Sequence, residues 1–499
     1  MVVDMNSKFE NLIIFELANN HQGSVKHGMQ IIRILGEECR KYKINAAVKF
    51  QYRDLDTIIH PDYRNRTDIK HISRFLSTRL SMDAFYSMVC AVRDEGMTTM
   101  CTPFDEASVD ICIDHGIDII KIASCSATDW PLLETVAETK RPVIISTGGK
   151  TFSDIDNIYS FFIHRFVDFG MMHCVGLYPA SNEFIQLNCL TKMQNRYPDI
   201  PIGYSGHEDP SNLSIVQMAV AKGAQMLERH VGLATEDISL NRYSTDVRNI
   251  GSWIQAVCDA RTICGQPEQK IISNQELQSM KELSRGCYAA VSISKGQAIE
   301  REDVFFAMPC ASDQLTSCLF KSGLIATKNY DRNEGIYEIR EVSLVSDIRS
   351  VVHDIKGMLY EAKIAVGSQF ELELSHHYGM EHFRHYGTTM INIINREYCK
   401  KLLIILPGQQ HPQHFHKIKE ESFQVLSGIM TLTLEDTVKT LKAGDIITVE
   451  RGIPHSFTST SGCIFEEIST THVPNDSYYT DKKIAQLDSI ERKTILKDW

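Results

Sequence analysis

The chain predicts an α/β fold, with a (β/α)8 barrel in its first half and two smaller β domains after it. Three observations carry this expectation. Eight short apolar runs recur over about 265 residues, with helix-period segments between them. Each run ends in polar, chemically capable side chains, as the C-terminal rim of such a barrel requires. Beyond residue 284 the apolar runs shorten, alternate and lie between turn signals.

Composition narrows the function. At 499 residues the chain exceeds one ordinary core and predicts two to four domains. A net charge of −11 gives no general attraction to nucleic acid or anionic lipid, so an anionic substrate needs a local cationic site. No run of about 18 apolar residues is present to span a membrane. The apolar run at 12–15 is short, follows acidic residues and lacks a small-residue cleavage site, so it does not read as a targeting segment. The 14 cysteines form no C-x-x-C pair, and Cys101, Cys174 and Cys264 lie inside apolar runs, as small buried hydrophobes do. The expected compartment is the reducing cytoplasm.

The runs expected as strands are 12–17, 46–51, 98–101, 117–123, 143–147, 170–175, 202–205 and 225–230. Segments such as 28–39 and 82–93 carry helix-period apolar positions between them. Strand–helix alternation implies a parallel sheet, and eight units imply a closed (TIM) barrel. A doubly wound sheet is the alternative, but no G-x-G-x-x-G follows the first run. Run one ends in Glu16, followed by Asn19, Asn20 and His21. Run two gives Lys49 and Gln51, three Thr102 and Phe104, four Lys121 and Ser124, five Ser146 and Thr147. Run six leads to Tyr178, seven to Ser205 and His207, eight to Glu228 and His230. Two lysines at one rim, with hydroxyls nearby, suit a phosphate and a carboxylate, because lysine supplies compact charge and hydroxyls add directed bonds. Two histidines with an acid nearby suit a divalent cation acting as a Lewis acid.

In order, F-E-L-A-N-N-H-Q-G, V-K-F-Q, T-P-F-D, K-I-A-S, I-S-T-G-G, H-C-V-G-L-Y-P, Y-S-G-H and L-E-R-H resemble the landmarks of the sialic acid (N-acetylneuraminate) synthase family over residues 10–345. The resemblance implies condensation of phosphoenolpyruvate with an aldose to give a 3-deoxy-2-keto sugar acid and phosphate. By position, Lys49, Lys121, Ser124, Ser146 and Ser205 would hold phosphoenolpyruvate, with Thr102, Phe104 and Asn241 also on the substrate. His207 and His230 would bind Mn2+ or a similar metal, Glu16 would be the acid/base group, and Gln51 and Tyr178 would line the sugar. Several family positions are not kept. The acid two residues after the K-x-x-S serine is Ser126, the asparagine before Y-P is Gly176, and the aspartate of S-D-H is Gly206. The acid before the later serine falls near Leu240 and Asn241. The donor half is kept and the acceptor half altered.

Residues 285–309 alternate in short strands broken at the turn signal Lys295-Gly296. They resemble the antifreeze-like (SAF) domain of those synthases, which implies a homodimer by exchange of that domain. The family's arginine of an R-P pair is Met308 here, with Arg285 or Arg301 as substitutes or as plain surface residues. The expected domains are the barrel at 1–265, a helical linker at 266–283, the SAF-like domain at 284–345 and a last domain at 346–499.

In that last domain His414 and His416 share one face of a strand. Glu421 follows a turn and His455 a later strand, completing a three-histidine, one-carboxylate set. The spacing resembles both motifs of the cupin β-barrel. All four positions suit a second divalent metal, with Mn, Fe, Ni and Zn all allowed by the ligand types. His376, His377 and Tyr386 are candidates for the same cavity, or surface and turn residues. A metal cupin acting as a sugar isomerase would feed an aldose to the barrel; a sensor or an assembly module is the rival. For the barrel, the alternatives are a metal-dependent pyruvate aldolase and a non-catalytic sugar-binding protein.

Overall fold

The computed structural model describes residues 8–499 except 65, 67, 266–269, 338, 341–343, 368, 474 and 489. The chain divides into two compact units, Met1–Ile271 and Ile272–Trp499. The expected linker begins on residues outside the described ones. Its remainder holds the helix Asn274–Glu282, capped by Ser273 and without a buried residue.

In the first unit, eight parallel strands follow one another in sequence order: β1 (Leu12–Glu16), β2 (Ala46–Tyr52), β3 (Thr98–Pro103), β4 (Ile119–Ile122), β5 (Val143–Ser146), β6 (Phe169–Cys174), β7 (Ile202–Gly206) and β8 (Met226–Gly232). β1 also pairs with β8, Glu16 opposite His230, so the sheet closes. Alternation within each strand then sorts the residues. Val48, Phe50 and Tyr52 face the surrounding helices, while Leu12, Ile14, Ala47, Met100, Ile119, Ile144, Met172 and Met226 fill the barrel floor. Two residues further along the same inward faces stand Glu16, Lys49, Lys121, Ser146 and Glu228. The site is therefore the polar upper layer of an otherwise apolar interior. Gly203 is required in that floor, because a Cβ there would lie 2.6 Å from the Met226 carbonyl oxygen.

The helix Val25–Tyr42 shows why the expected span 28–39 is short at both ends. Ile31, Ile32, Leu35 and Cys39 make its buried stripe, but its start is set by Ser24 accepting from the His27 N–H and its end by Lys43 in a left-handed conformation. Neither end belongs to the apolar pattern.

The second unit contains the small β domain and an antiparallel barrel. The former packs Cys287, Ile293, Ile299, Val304 and Tyr330 together, with Gly296 at φ +85° in the expected turn. Arg301 donates to the Val304 carbonyl and lies over Phe306 at 4.8 Å, and Arg285 lies 5.9 Å from the same ring. The latter is an eleven-stranded antiparallel sheet. In its strand Tyr398–Ile405, Leu402 and Ile404 join the core with Val351 and Ile355 of the helix Leu344–Glu361, while Leu403 and Ile405 face the interior with Phe423 and Phe457. No helix among the described residues is long and apolar enough to cross a membrane.

Candidate active site

Glu16, Asn19, Lys49, Gln51, Thr102, Phe104, Lys121, Ser124, Ser146, Thr147, Tyr178, Ser205, His207, Glu228, His230 and Asn241 line one cavity of about 1240 Å³ at the C-terminal ends of the strands. Four charges organise it. Lys49 Nζ lies 2.6 Å from Glu16 Oε2 and 2.8 Å from Glu228 Oε1, and Lys121 Nζ lies 3.3 Å from Glu228 Oε2. Ser205 donates to Glu228 Oε1 at 2.9 Å, and Lys121 donates to Ser146 Oγ at 2.5 Å. All four charges are buried, and they sum to zero. Burial opposes ionisation of Glu228, but Lys121 and Lys49 outweigh it and hold its pKa far below the carboxylate range. Burial likewise opposes the charge on Lys49, and Glu16 with Glu228 raises it above the ordinary lysine value. For Lys121 burial wins, Glu228 offsetting only part of it, so its pKa is lowered. Lys121 is thus the cation with most to gain from an anionic ligand.

His207 and His230 face each other with ring centroids 5.1 Å apart. Burial, then the charge of His230 on one and of Lys49 on the other, lowers both to about 3 and keeps them neutral, as metal ligation requires. His207 Nδ1 lies 2.9 Å from the Val175 carbonyl, which can only accept, so Nε2 is left for a ligand. His230 makes no hydrogen bond among the described residues. Two neutral imidazoles at one wall of a polar cavity fit a divalent cation that takes its other ligands from substrate or water. Tyr178, 55 % exposed, packs at a tilt on His207 with ring centroids 4.2 Å apart, and Tyr243 adds a ring 5.1 Å from His230. The remaining candidates are placed by local bonds. Ser124 accepts from the Gly148 N–H, Gln51 donates to Glu16 at 3.4 Å, and Asn241 accepts from the Tyr243 N–H. Thr102 keeps a buried hydroxyl without a partner.

Asn20 and His21 depart from expectation. Asn20 ties the Val231 carbonyl and Ser244 together, and His21 packs edge-on against Phe85. They support the rim instead of lining this cavity. Two residues of the site had no role assigned from the sequence. Glu228 was legible only as an acid near the histidines, yet it joins both lysines. Arg53 continues the inward alternation of Lys49 and Gln51. It donates to Gln51 at 2.8 Å and is sandwiched between Phe104 and Phe75 at 3.7 and 4.1 Å. Gly206 also gains a reason: a Cβ there would lie 2.5 Å from the carboxylate of Glu208, which Arg229 and Tyr204 hold at 2.9 and 2.8 Å. At Gly176 nothing lies within 4 Å of an added Cβ, so the cavity is open there.

In the antiparallel barrel, His414 is in register with His455, and Glu421 opens the next long strand. The ligand atoms of His414, His416, Glu421 and His455 all lie within 4.8 Å of one another, and all four residues are buried. Glu421 Oε2 and His455 Nε2 are buried without a hydrogen-bond partner, 3.2 Å apart, which a cation between them would satisfy. The set fits a divalent metal. His376, His377 and Tyr386 do not line this cavity. His377 is buried against His411 and Tyr479, while His376 faces Thr494 and Tyr386 packs on Tyr378.

Comparison with known proteins agrees with both halves. The NeuB family model matches residues 41–269 and the cupin domain model residues 401–466. The chain is 27 % identical over 292 residues to the human N-acetylneuraminate-9-phosphate synthase, covering 57 % of this chain and 79 % of that one. It is 28 % identical over 314 residues to the N,N'-diacetyllegionaminic acid synthase of Legionella pneumophila, covering 60 % and 85 %. The crystal structure of a spore coat polysaccharide biosynthesis protein E from Chromobacterium violaceum superposes with a TM-score of 0.64 at 38 % identity, over 66 % of this chain and 100 % of that one.

Proposed function

The chain belongs to the NeuB family, and from that premise we propose that its barrel joins phosphoenolpyruvate to an aldose, giving a 3-deoxy-2-keto sugar acid of the sialic type and inorganic phosphate. The observation that carries this reading is the convergence of Lys49 and Lys121 on Glu228 in the cavity that also holds His207 and His230. Lys121 and Lys49 take the donor's phosphate and carboxylate, with the hydroxyls of Ser124, Ser146 and Ser205 as directed partners. As an anion arrives, Glu228 shares its two cations with it, so the charge of the buried layer stays bounded. A divalent cation on His207 and His230 would supply Lewis-acid polarisation of the acceptor's aldehyde oxygen. Carbon 3 of the enol bonds to the aldehyde carbon, water adds at carbon 2, and phosphate departs. Glu16, fixed by the Ala18 N–H at 2.7 Å and by Lys49, would hold or move the proton. Tyr178, Gln51 and Asn241 line the sugar's side, and Thr102 and Phe104 close the donor's.

The test is purified protein with phosphoenolpyruvate, Mn2+ and a panel of aldoses, read by phosphate release and product mass. Product without phosphate would instead fit a pyruvate aldolase, and binding without product a sugar-binding protein.

For the second unit we propose a divalent metal (Mn, Fe, Ni or Zn) on His414, His416, Glu421 and His455, serving a sugar isomerase that supplies the aldose. With ketoses plus phosphoenolpyruvate, the His414→Ala variant should lose turnover while keeping it with the matching aldose. Unchanged ketose turnover would favour a sensor or an assembly module. We also propose a homodimer formed by exchange of the small β domain, to be checked by sedimentation, and a cytoplasmic setting that keeps its cysteines, all free thiols here, reduced.

A further inference from the structure

Lys401 is a cation where the strand pattern asks for an apolar residue. It precedes Leu403 and Ile405 by two and four positions on the inward face of the strand Tyr398–Ile405, and both of those residues fill the interior core. Its side chain is only 6 % exposed, yet its ammonium makes no hydrogen bond or ion pair among the described residues. Glu467, its partner in register across the sheet, is bonded elsewhere, to Lys419 at 2.9 Å and Ser469 at 3.0 Å. Lys419 in turn is paired with Glu421. Lys401 and Lys419 together balance Glu421 and Glu467 in charge, but Lys401 touches neither carboxylate, and buried donors are ordinarily bonded, so its unspent N–H groups mark a place for an acceptor brought by a ligand.

Lys401 lines a cavity of about 220 Å³ together with His414, His416 and Glu421 of the proposed metal centre. Arg492 and Lys493 line it too. Arg492 lies over the Tyr479 ring at 4.8 Å with one long bond, 3.4 Å, to the Asp488 carbonyl, so most of its donors are unspent; Lys493 is held by Glu373 at 2.8 Å. In a chain of net charge −11, this concentrates cations beside a centre that itself fits a divalent ion. The volume is at the small end of ligand sites, suited to one sugar unit and not to an oligosaccharide.

We propose that this cavity binds a small anionic sugar, its carboxylate or phosphate on Lys401 and Arg492 and its hydroxyl or carbonyl oxygens toward the His414, His416, Glu421 and His455 centre. A neutral ketose would leave the donors of Lys401 and Arg492 without a charged acceptor. The inference rests on the metal-centre reading above and adds the ligand's charge to it.

The test is calorimetric titration of the full-length, metal-loaded protein with gluconate, glucose 6-phosphate and glucose, in wild type, Lys401→Met and Lys401→Arg. Because the barrel also takes anions, the quantity read is the component that Lys401→Met removes. Wild type should bind at least one anion tenfold or more tighter than glucose through that component. Lys401→Met should lose that preference, Lys401→Arg should keep it, and Lys401→Met should melt close to wild type, since no hydrogen bond or ion pair is lost. Preference for gluconate identifies a sugar acid, and preference for glucose 6-phosphate a sugar phosphate. Equal binding of all three probes, anion binding indifferent to Lys401→Met, or a Lys401→Met protein that fails to fold would each overturn the proposal. Metal content measured on the same samples separates the two readings. Metal present without the Lys401-dependent component sinks this inference alone, and that component without metal sinks the metal centre.

Discussion

The barrel and the antiparallel domain both set histidines beside two buried lysines and two carboxylates, and they bond those charges differently. In the barrel, Lys49 and Lys121 meet Glu16 and Glu228, two charges of each sign within one polar layer. In the other domain Lys419 is bonded to both Glu421 and Glu467, while Lys401, opposite Glu467 in register, makes no direct bond among the described residues; the charges again sum to zero, but one cation keeps its donors unspent. A neutral set is stable without ligand, so the barrel's geometry stands ready before substrate arrives and the substrate competes with Glu228. A cation with unspent donors leaves them to whatever binds. One site is preassembled, and the other is completed by its ligand.

The largest effect should come from breaking the balanced set. Glu228→Gln leaves two buried lysines with one carboxylate and should lower the barrel's unfolding free energy by about 3–5 kcal/mol, as removal of one partner of a buried pair does. Urea unfolding checks it, and a cost near that of Lys401→Met would erase the contrast between the sites. Next, Lys121→Met should cut turnover of phosphoenolpyruvate by about 10²–10³-fold, the usual loss of one preorganised charge-stabilising donor. A phosphate-release assay reads it directly.

On the other side of the comparison, stripping divalent metal with a chelator should destabilise the second unit by about 2.7 kcal/mol relative to protein at a hundredfold excess of metal over Kd. Scanning calorimetry follows this, and in His414→Ala the metal-dependent shift should vanish along with one equivalent of bound metal. The smallest effect is that of pH. Burial, with lesser help from nearby cations, lowers His21 and His472 to about 4 and His377 to about 3. Each stays neutral in the fold while the unfolded chain takes up a proton below about pH 6.5. Stability is therefore full above that pH and is lost as pH falls toward 4. His377→Phe should flatten this loss in the second unit, and His21→Phe in the first. A melting temperature that rises on acidification would contradict the assignment.

Much of this was legible one strand at a time. Period-two alternation puts Lys49 and Gln51 on one face, and it would have added Arg53 had the run been carried one step past its apolar end. His414 and His416 share a face for the same reason. Helix ends were less legible, because Ser24 and Lys43 act through single bonds outside the apolar pattern. His376 and Tyr386 were open between the metal cavity and a surface or turn role, because neither belongs to the His414/His416 strand; His376 faces Thr494 and Tyr386 packs on Tyr378.

What the sequence by itself determined was which residues face inward and what chemistry each offers, since both follow from local periodicity and side-chain type. Only the tertiary structure decided who meets whom. Glu228 reaches Lys49, 179 positions away, because closure of the barrel sets β8 beside β1. It lies opposite Ser205 because the register of β7 on β8 puts it there. Lys419, and not its register partner Lys401, is the lysine bonded to Glu467. Such pairings depend on how distant strands are staggered, and the hydrogen-bonded closure of the sheet fixes that stagger.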